Sequence, residues 1–231
     1  LTGIKETGRR VMQSFGNVPA TGTLSKGGNP MNWTDDASGR DPLALFADWL
    51  GAAEATEPSD PNAVALATTD GEGMPDVRMV LLKAVDGGGF VFYTNLDSAK
   101  GRQIEGANKA ALCFHWKSAR RQVRLRGRTE IVGDGEADDY FASRARRSQV
   151  GAWASLQSRP MAHKRDLVAR AGRYAARFGV SPVPRPPRWT GIRLIPMEIE
   201  FWQDGLFRMH DRLKFERSDA VANWRTTLLY P

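Results

Sequence analysis

Cysteine is almost missing from this chain. The single Cys113 excludes an internal disulfide and any metal centre built from several thiolates. His115 and His163 have no partner at metal-ligand spacing, so they read as structural or surface residues. Long apolar runs are absent as well. The longest, such as Met79–Leu82, stop after one strand's length, so no helix spans a membrane. No charged-then-apolar leader opens the residues given, and the cytoplasm is the expected compartment. A phosphate-cradling P-loop is missing, Gly87–Gly89 lacks dinucleotide-binding spacing, and there is no serine nucleophile elbow. Negative charge is the scarcer sign: 26 acidic against 33 basic residues leave a net charge of +7. That balance favours anionic partners, nucleic acid or phosphorylated small molecules. The basic residues are spread along the chain rather than gathered in one block, which argues against a nucleic-acid face.

What is present is mostly strand. Residues 1–40, rich in Gly, Asn, Thr and Ser, predict a flexible N-terminal arm with a short helix near Lys5–Phe15. Asp41-Pro42 suits a helix start, and Leu43, Phe46 and Leu50 give that helix an apolar stripe. Ala63–Thr69, Asp76–Lys83 and Phe90–Thr94, joined by glycine turns, predict an antiparallel meander. A helix over Ser98–Asn108 precedes strands at Ala110–Trp116 and Arg121–Ile131, where Val123, Leu125 and Ile131 are expected on one face. Helices follow at Gly135–Arg144 and Met161–Phe178. In the second, Leu167, Ala171, Tyr174 and Phe178 share a face, and Arg170, Arg173 and Arg177 form a solvated one. Beyond the proline-rich 182–187 connector, strands are expected at Gly191–Leu194, Met197–Gln203, Phe207–Arg212, Lys214–Arg217 and Trp224–Leu229. The fold class is mainly β with peripheral helices, a β-barrel in one domain over residues 41–231.

Candidate chemistry gathers in a few places. Asp204-Gly205 reads as a hairpin turn, and period-2 alternation then puts Arg208, His210 and Arg212 on one strand face. Three neighbouring cationic or near-cationic groups repel unless an anion sits among them, so this face is either a solvated edge or a seat for a planar anionic ligand with Trp202 as a wall. Tyr93-Thr94 followed by Ser98-Ala99-Lys100 places hydroxyls and a lysine at a helix start, where free N–H groups bind phosphate or where an ordinary cap sits. Arg78 and Lys83 flank an apolar strand. Gln122 shares a strand face with Arg124, Arg126 and Arg128, a face expected to meet solvent except at Gln122. Tyr140, Arg144 and Ser148 make a second possible anion cradle, with Gln157-Ser158 downstream.

Taken together, Arg78–Lys83 (RMVLLK), Phe92–Asn95 (FYTN), Arg121–Val123 (RQV), Tyr140-Phe141, Ser148–Ser158 (SQVGAWASLQS) and Glu200–Arg212 resemble the pyridoxamine (pyridoxine) 5′-phosphate oxidase family, in the family's order. The resemblance implies an antiparallel FMN-binding split barrel and a homodimer with FMN at the subunit interface, with no nucleic-acid partner. It implies oxidation of pyridoxamine or pyridoxine 5′-phosphate to pyridoxal 5′-phosphate, with hydride passing from C4′ to flavin N5 and O₂ reduced to H₂O₂. By motif position, FMN contacts fall on Arg78, Val80, Lys83, Tyr93, Thr94, Lys100, Gln122, Gln157, Ser158, Trp202 and Arg212. Substrate-phosphate contacts fall on Lys83, Tyr140, Arg144 and Ser148, while Arg208 and His210 hold the substrate ring as the catalytic pair. Three departures from the family pattern stand out: Ala99 for the usual Arg, Ala145 for the usual Pro, and Met209 for Leu. They imply a weaker hold on FMN and a looser turn behind the substrate phosphate. Two other readings are a split-barrel oxidase of another substrate, such as a phenazine precursor, and a non-catalytic flavin or nucleic-acid binding module.

Overall fold

The computed structural model describes residues 33–231. The expected helix near Lys5–Phe15 and most of the expected arm lie outside the described residues. The first described element, α1 (Trp33–Ala37), falls inside the stretch read as arm. Its Trp33 packs on Trp49 at 5.1 Å and donates its indole N–H to Asp211.

Helix α2 (Pro42–Thr56) starts as its sequence dictates. Asp41 caps it by accepting from the Ala44 N–H at 2.9 Å, and Pro42 occupies the first turn, where no donor is needed. The helix lays Phe46 and Trp49 into the barrel core. There Phe46, fully buried, meets the ring edges of Phe90 and Phe114.

Strands β1 (Ala63–Thr69), β2 (Pro75–Asp86) and β3 (Gly89–Asn95) form the expected meander. Helix α3 (Ala99–Ala107) leads to β4 (Lys109–Trp116) and β5 (Arg121–Ile131). Helices α4 (Asp134–Ser143), α5 (Arg146–Ala154) and α6 (Lys164–Phe178) come next. Strands β6 (Trp189–Gln203), β7 (Asp211–Glu216) and β8 (Arg225–Leu228) close the order. The sheet runs β3-β2-β1-β4-β5-β6-β7-β8, and a β3–β6 pairing closes the barrel. The expected barrel with peripheral helices is therefore the fold found.

Strand β6 makes the closure possible. It is 15 residues long, where two shorter strands were expected. Its N-terminal half pairs with β3 and its C-terminal half with β7, while β5 lines its other edge throughout. A bulge opposite Arg126 and Gly127 bends it between the two halves. Register then sets the faces: Val64, Leu66, Leu112, Val123 and Leu125 point into the core, and their strand neighbours point out.

Three expectations are corrected. Ile131 is 54% exposed, because the strand ends there and its core face stops at Thr129. Helix α5 was not expected; its sequence carries no side-chain cap. The expected strand Phe207–Arg212 does not exist. Residues 204–210 form a loop with one 3-10 turn (Leu206–Arg208), and β7 begins only at Asp211. Asp204-Gly205 is therefore not a two-residue hairpin turn, and the shared strand face for Arg208, His210 and Arg212 is lost with it. The cause lies in the backbone. Phe207 and Arg208 both take left-handed φ values, 55° and 62°, and the loop folds back so tightly that a Cβ on Gly205 would lie 1.9 Å from the Met209 carbonyl oxygen. On α6 the half-buried residues include the expected stripe, with Tyr174 and Phe178 against Trp153. Arg170, expected in solvent, instead donates to the Ala154 carbonyl and ties α6 to α5.

Candidate active site

The first cluster sits at the start of α3. Ser98 caps the helix, its Oγ accepting from the Gly101 N–H at 3.2 Å. The Ala99 N–H, one of the free donors of the first turn, donates to Ser158 Oγ at 3.1 Å, which brings the 157–158 turn to this helix end from far along the chain. Arg78, on the core-side face of β2 opposite Leu66, reaches the same place. Its guanidinium donates to Thr68 Oγ1 at 2.5 Å and Gln103 Oε1 at 3.1 Å, and pairs with Asp76. Val80 lies one step along that face and packs on the core, and Thr94 is buried beside it on β3. Burial first, and the charge of Arg78 second, hold the Lys100 ammonium below its usual value. Two crowded cations, a hydroxyl and a helix N-terminus make a fitting seat for a phosphate monoester.

The second cluster lies under α4 and α5. Lys83 is the extra residue of a bulge between Leu82 and Ala84, which turns its side chain away from the strand's alternation. Burial, then the nearby Arg144 guanidinium, depress its pKa from the usual 10.5. Arg144 lies 4.9 Å over the Trp189 ring, and its buried Nη1 has no hydrogen-bond partner among the described residues. Tyr140 stacks on Tyr93 at 3.8 Å, and Tyr93 on Trp189 at 5.3 Å. Burial raises both tyrosine pKa values, so both hydroxyls stay protonated donors at neutral pH. The stack needs Gly191: a Cβ there would meet Val132 at 2.7 Å and the Tyr93 ring at 2.9 Å. Ser148 is exposed in the first turn of α5, just beyond Arg144. A half-buried guanidinium beside a half-buried ammonium, with one donor unused among the described residues, fits a dianion between them.

The turn joining α4 to α5 is held firmly despite Ala145. The buried Gln149 amide donates to the Phe141 carbonyl at 2.9 Å and to the Ala142 carbonyl at 3.2 Å, satisfying the end of α4. Ala145 itself takes φ −54°, close to the angle that a proline ring imposes.

The third cluster occupies the opposite end of β6. Gln122, Trp202 and Arg212 stand in register across β5, β6 and β7, on the outward face. Glu200, only 3% exposed, accepts from Arg212 Nε at 2.9 Å and pairs with Arg124. Burial alone would raise the Glu200 pKa, but the bonds from Arg212 and Arg124 outweigh it and leave it lowered. The face of Gln122 meets solvent as expected, with Arg124, Arg126 and Arg128 exposed and Gln122 half-buried, and Arg124 and Arg126 pair there with Glu200 and Glu198. His210 lies 4.8 Å from the Trp202 ring, and Arg208 projects from the exposed 3-10 turn.

Sequence reasoning named the members of all three clusters, and the family resemblance implied a site at a subunit interface, but it did not say which cluster lies at which end of the barrel. Gly191, beside the first two clusters, and Trp202 in the third lie near opposite ends of β6, roughly 36 Å apart at about 3.3 Å per residue. The sequence reading missed Trp189, Gly191 and Gln149; an aromatic and a glycine directly after a proline-rich connector were the available signal. It also passed over Asp60, whose charge counters the depression at Lys83 and whose φ of 43° marks a constrained backbone.

Comparison with known proteins places these residues in context. Residues 51–178 match the family model described as pyridoxamine 5′-phosphate oxidase. Residues 189–231 match the pyridoxine 5′-phosphate oxidase C-terminal dimerisation region. A pyridoxine/pyridoxamine 5′-phosphate oxidase of Rhizobium etli is 56% identical over 203 residues, covering 88% of this chain and 98% of the relative. Another, of Maricaulis maris, is 60% identical over 191 residues, covering 83% and 86%. Among solved structures, PhzG from Burkholderia lata 383, in complex with tetrahydrophenazine-1-carboxylic acid, aligns with a TM-score of 0.79 at 33% identity, over 85% of this chain and 95% of that one.

Two measurements test this geometry. Because the Lys83 pKa is depressed in the folded state, the unfolded chain binds more protons as pH approaches 10.5, and the ligand-free protein gains stability from this group as pH rises. Denaturant melts of Lys83→Met should lack that gain, and inorganic phosphate should raise the midpoint of the wild type more than that of the variant. Ala145→Pro should stabilise by about 0.4–1 kcal/mol, because the native φ already suits proline and only the unfolded chain loses freedom. A fall in its melting midpoint would show that the turn needs the Ala145 N–H.

Proposed function

The chain belongs to the pyridoxamine 5′-phosphate oxidase family, and we propose that each of its active sites is assembled from two protomers. It oxidises pyridoxamine and pyridoxine 5′-phosphate to pyridoxal 5′-phosphate, with FMN as cofactor, O₂ as acceptor and H₂O₂ as product. The observation that carries the assembly is the separation of the clusters along β6. The near clusters, with Arg78, Lys83, Tyr93, Lys100, Tyr140 and Arg144, hold the phosphates. The far cluster, with Gln122, Trp202, Arg208, His210 and Arg212, completes the site of the other protomer.

Two features support this reading. The far cluster, apart from Gln122, lies in the stretch that matches a dimerisation region. The outward face of β2 is also apolar and uncovered, with Val77 at 65%, Met79 at 63% and Leu81 at 41% exposure. Small residues flank it in register: Met79 pairs with Ala65 and Val77 with Ala67, which let a second sheet approach closely. The pairs Arg124–Glu200 and Arg126–Glu198 edge this face.

Bound FMN would supply the two-electron chemistry, accepting hydride from substrate C4′ at flavin N5. The chain supplies position. Arg78, Lys100, Ser158 and the α3 N-terminus hold the flavin phosphate, and the 157–158 turn brings Gln157 alongside. Ser158 takes up the Ala99 N–H, so one free donor serves the loop rather than the ligand. Lys83, Tyr140, Arg144 and Ser148 hold the substrate phosphate, and Val80, Thr94 and Trp202 bound the flavin. Arg208 orients the substrate and stabilises charge as hydride leaves, and His210 hydrogen-bonds the substrate. Oxidation of a phenazine precursor is the weaker reading, because the complete Lys83–Tyr140–Arg144–Ser148 set is matched to a phosphate. The cytoplasm is the compartment inferred; among the described residues no helix is long and apolar enough to cross a membrane.

Absorbance tests the reaction directly. The purified protein should retain a flavin band that bleaches on anaerobic addition of pyridoxamine 5′-phosphate and returns in air. Retained flavin that stays oxidised would overturn the substrate assignment. In Arg208→Ala, turnover should fall by roughly a hundredfold or more with FMN retained, the usual scale for losing a group that stabilises developing charge. Unchanged turnover would remove that role. For the assembly, Met79→Asp should yield monomers by sedimentation and lose FMN, although no residue of the phosphate clusters is altered. Monomers that still hold FMN would refute the shared site.

A further inference from the structure

We propose that Asp204, clamped by Arg120, is a positioning residue that fixes the tautomer of His210. The two residues come from different turns. Arg120 ends the β4–β5 turn with a left-handed φ of 54°, and Asp204 opens the loop between β6 and β7. They are joined twice: the Asp204 N–H donates to the Arg120 carbonyl at 3.0 Å, and the Arg120 guanidinium grips the Asp204 carboxylate, with Nε at 2.7 Å. The other carboxylate oxygen, Oδ1, lies 2.9 Å from His210 Nδ1.

His210 Nδ1 has a second neighbour, the Gly205 N–H at 3.2 Å. The two contacts exclude each other in proton terms. Nδ1 donates to Asp204 if it carries the proton, and accepts from Gly205 if it does not. The Arg120 guanidinium holds the Asp204 carboxyl below the usual carboxylate range, so it is an acceptor only. A charge-assisted bond to a carboxylate is about twice as strong as a neutral one, and the shorter of the two distances is the one to Asp204. Nδ1 therefore carries the proton, and Nε2 of the neutral ring keeps its lone pair. The Trp202 ring, 4.8 Å away and tilted by 45°, sets the plane of the imidazole.

This inference rests on the proposed function for its meaning: Nε2 would be the acceptor presented to the C4′ amine or hydroxyl of the substrate. The family resemblance assigned His210 a contact but gave no reason for its orientation, and Asp204 and Arg120 carried no role in it.

The test uses the FMN-loaded protein labelled with ¹⁵N only in histidine. The chain has three histidines, and His210→Gln identifies the signal of the third. The wild type should show His210 with Nδ1 protonated. Asp204→Ala should move the proton to Nε2, because Nδ1 then accepts from Gly205. Asp204→Asn should move it as well, because the Arg120 guanidinium claims the amide oxygen and leaves the NH2 group to donate to Nδ1. In kinetics Asp204→Ala should lose roughly tenfold to a hundredfold in kcat with flavin retention unchanged, the usual scale for an orienting partner, and Asp204→Asn should lose at least as much although it is nearly isosteric. A wild-type His210 protonated on Nε2, or a tautomer unmoved by Asp204→Ala, would overturn the proposal. Because the tautomer is read without substrate, it stands or falls independently of the oxidase assignment.

Discussion

A β-strand has two edges to satisfy, and β6 satisfies one of them with two different partners. Its first half gives that edge to β3 and closes the barrel; its second half gives it to β7 and leaves the barrel. The bulge opposite Arg126 and Gly127 is where the change is made. Nearly everything functional depends on this division. Tyr93 and Trp189 sit at the closing half, with the phosphate-binding clusters around them. Trp202, Arg212 and His210 sit at the departing half. A shorter strand would close the barrel but would carry no second half-site.

The electrostatics follow the same division. In the far cluster the guanidiniums have acidic partners: Arg124 and Arg212 share Glu200 on the sheet, and Arg120 in the β4–β5 turn has Asp204. In the near clusters the cations press on one another. Burial first and Arg144 second depress Lys83, burial first and Arg78 second depress Lys100, and the Arg144 Nη1 donor is buried without a partner among the described residues. Such arrangements cost stability in the ligand-free protein. They are the reason to place the phosphates in the near clusters and a planar, hydrogen-bonded ring against the far one.

Much of this was legible in the sequence, and the failures have particular causes. The strands from Ala63 to Ile131 announce themselves by alternation and glycine turns, and α2 by its Asp-Pro start. The identities of the cluster residues came from motif positions that the fold then gathered. What alternation could not reveal was the loop at 204–210. Phe207 and Arg208 are residues that rarely take left-handed φ, so nothing in their identity warned that the strand pattern breaks there. Helix α5 was missed because no capping side chain marks its start; the fold holds it through Gln149 and Phe141 instead. The separation of the clusters was invisible to alternation for another reason: sequence lists residues without their distances, and only register along β6 separates them.

That loop also explains how one strand end can serve chemistry. Two consecutive left-handed residues cost energy, and they leave Phe207 90% exposed and Arg208 facing outward. Packing within the chain does not repay this. The loop is instead pinned at its base, by Gly205 against the Met209 carbonyl and by Asp204 against Arg120, while its tip is left exposed among the described residues. A tip that is strained, exposed and fixed only at the root makes structural sense if another surface receives it. Under the proposed assembly that surface is the near clusters of a second protomer, whose crowded cations complement the groups this tip carries.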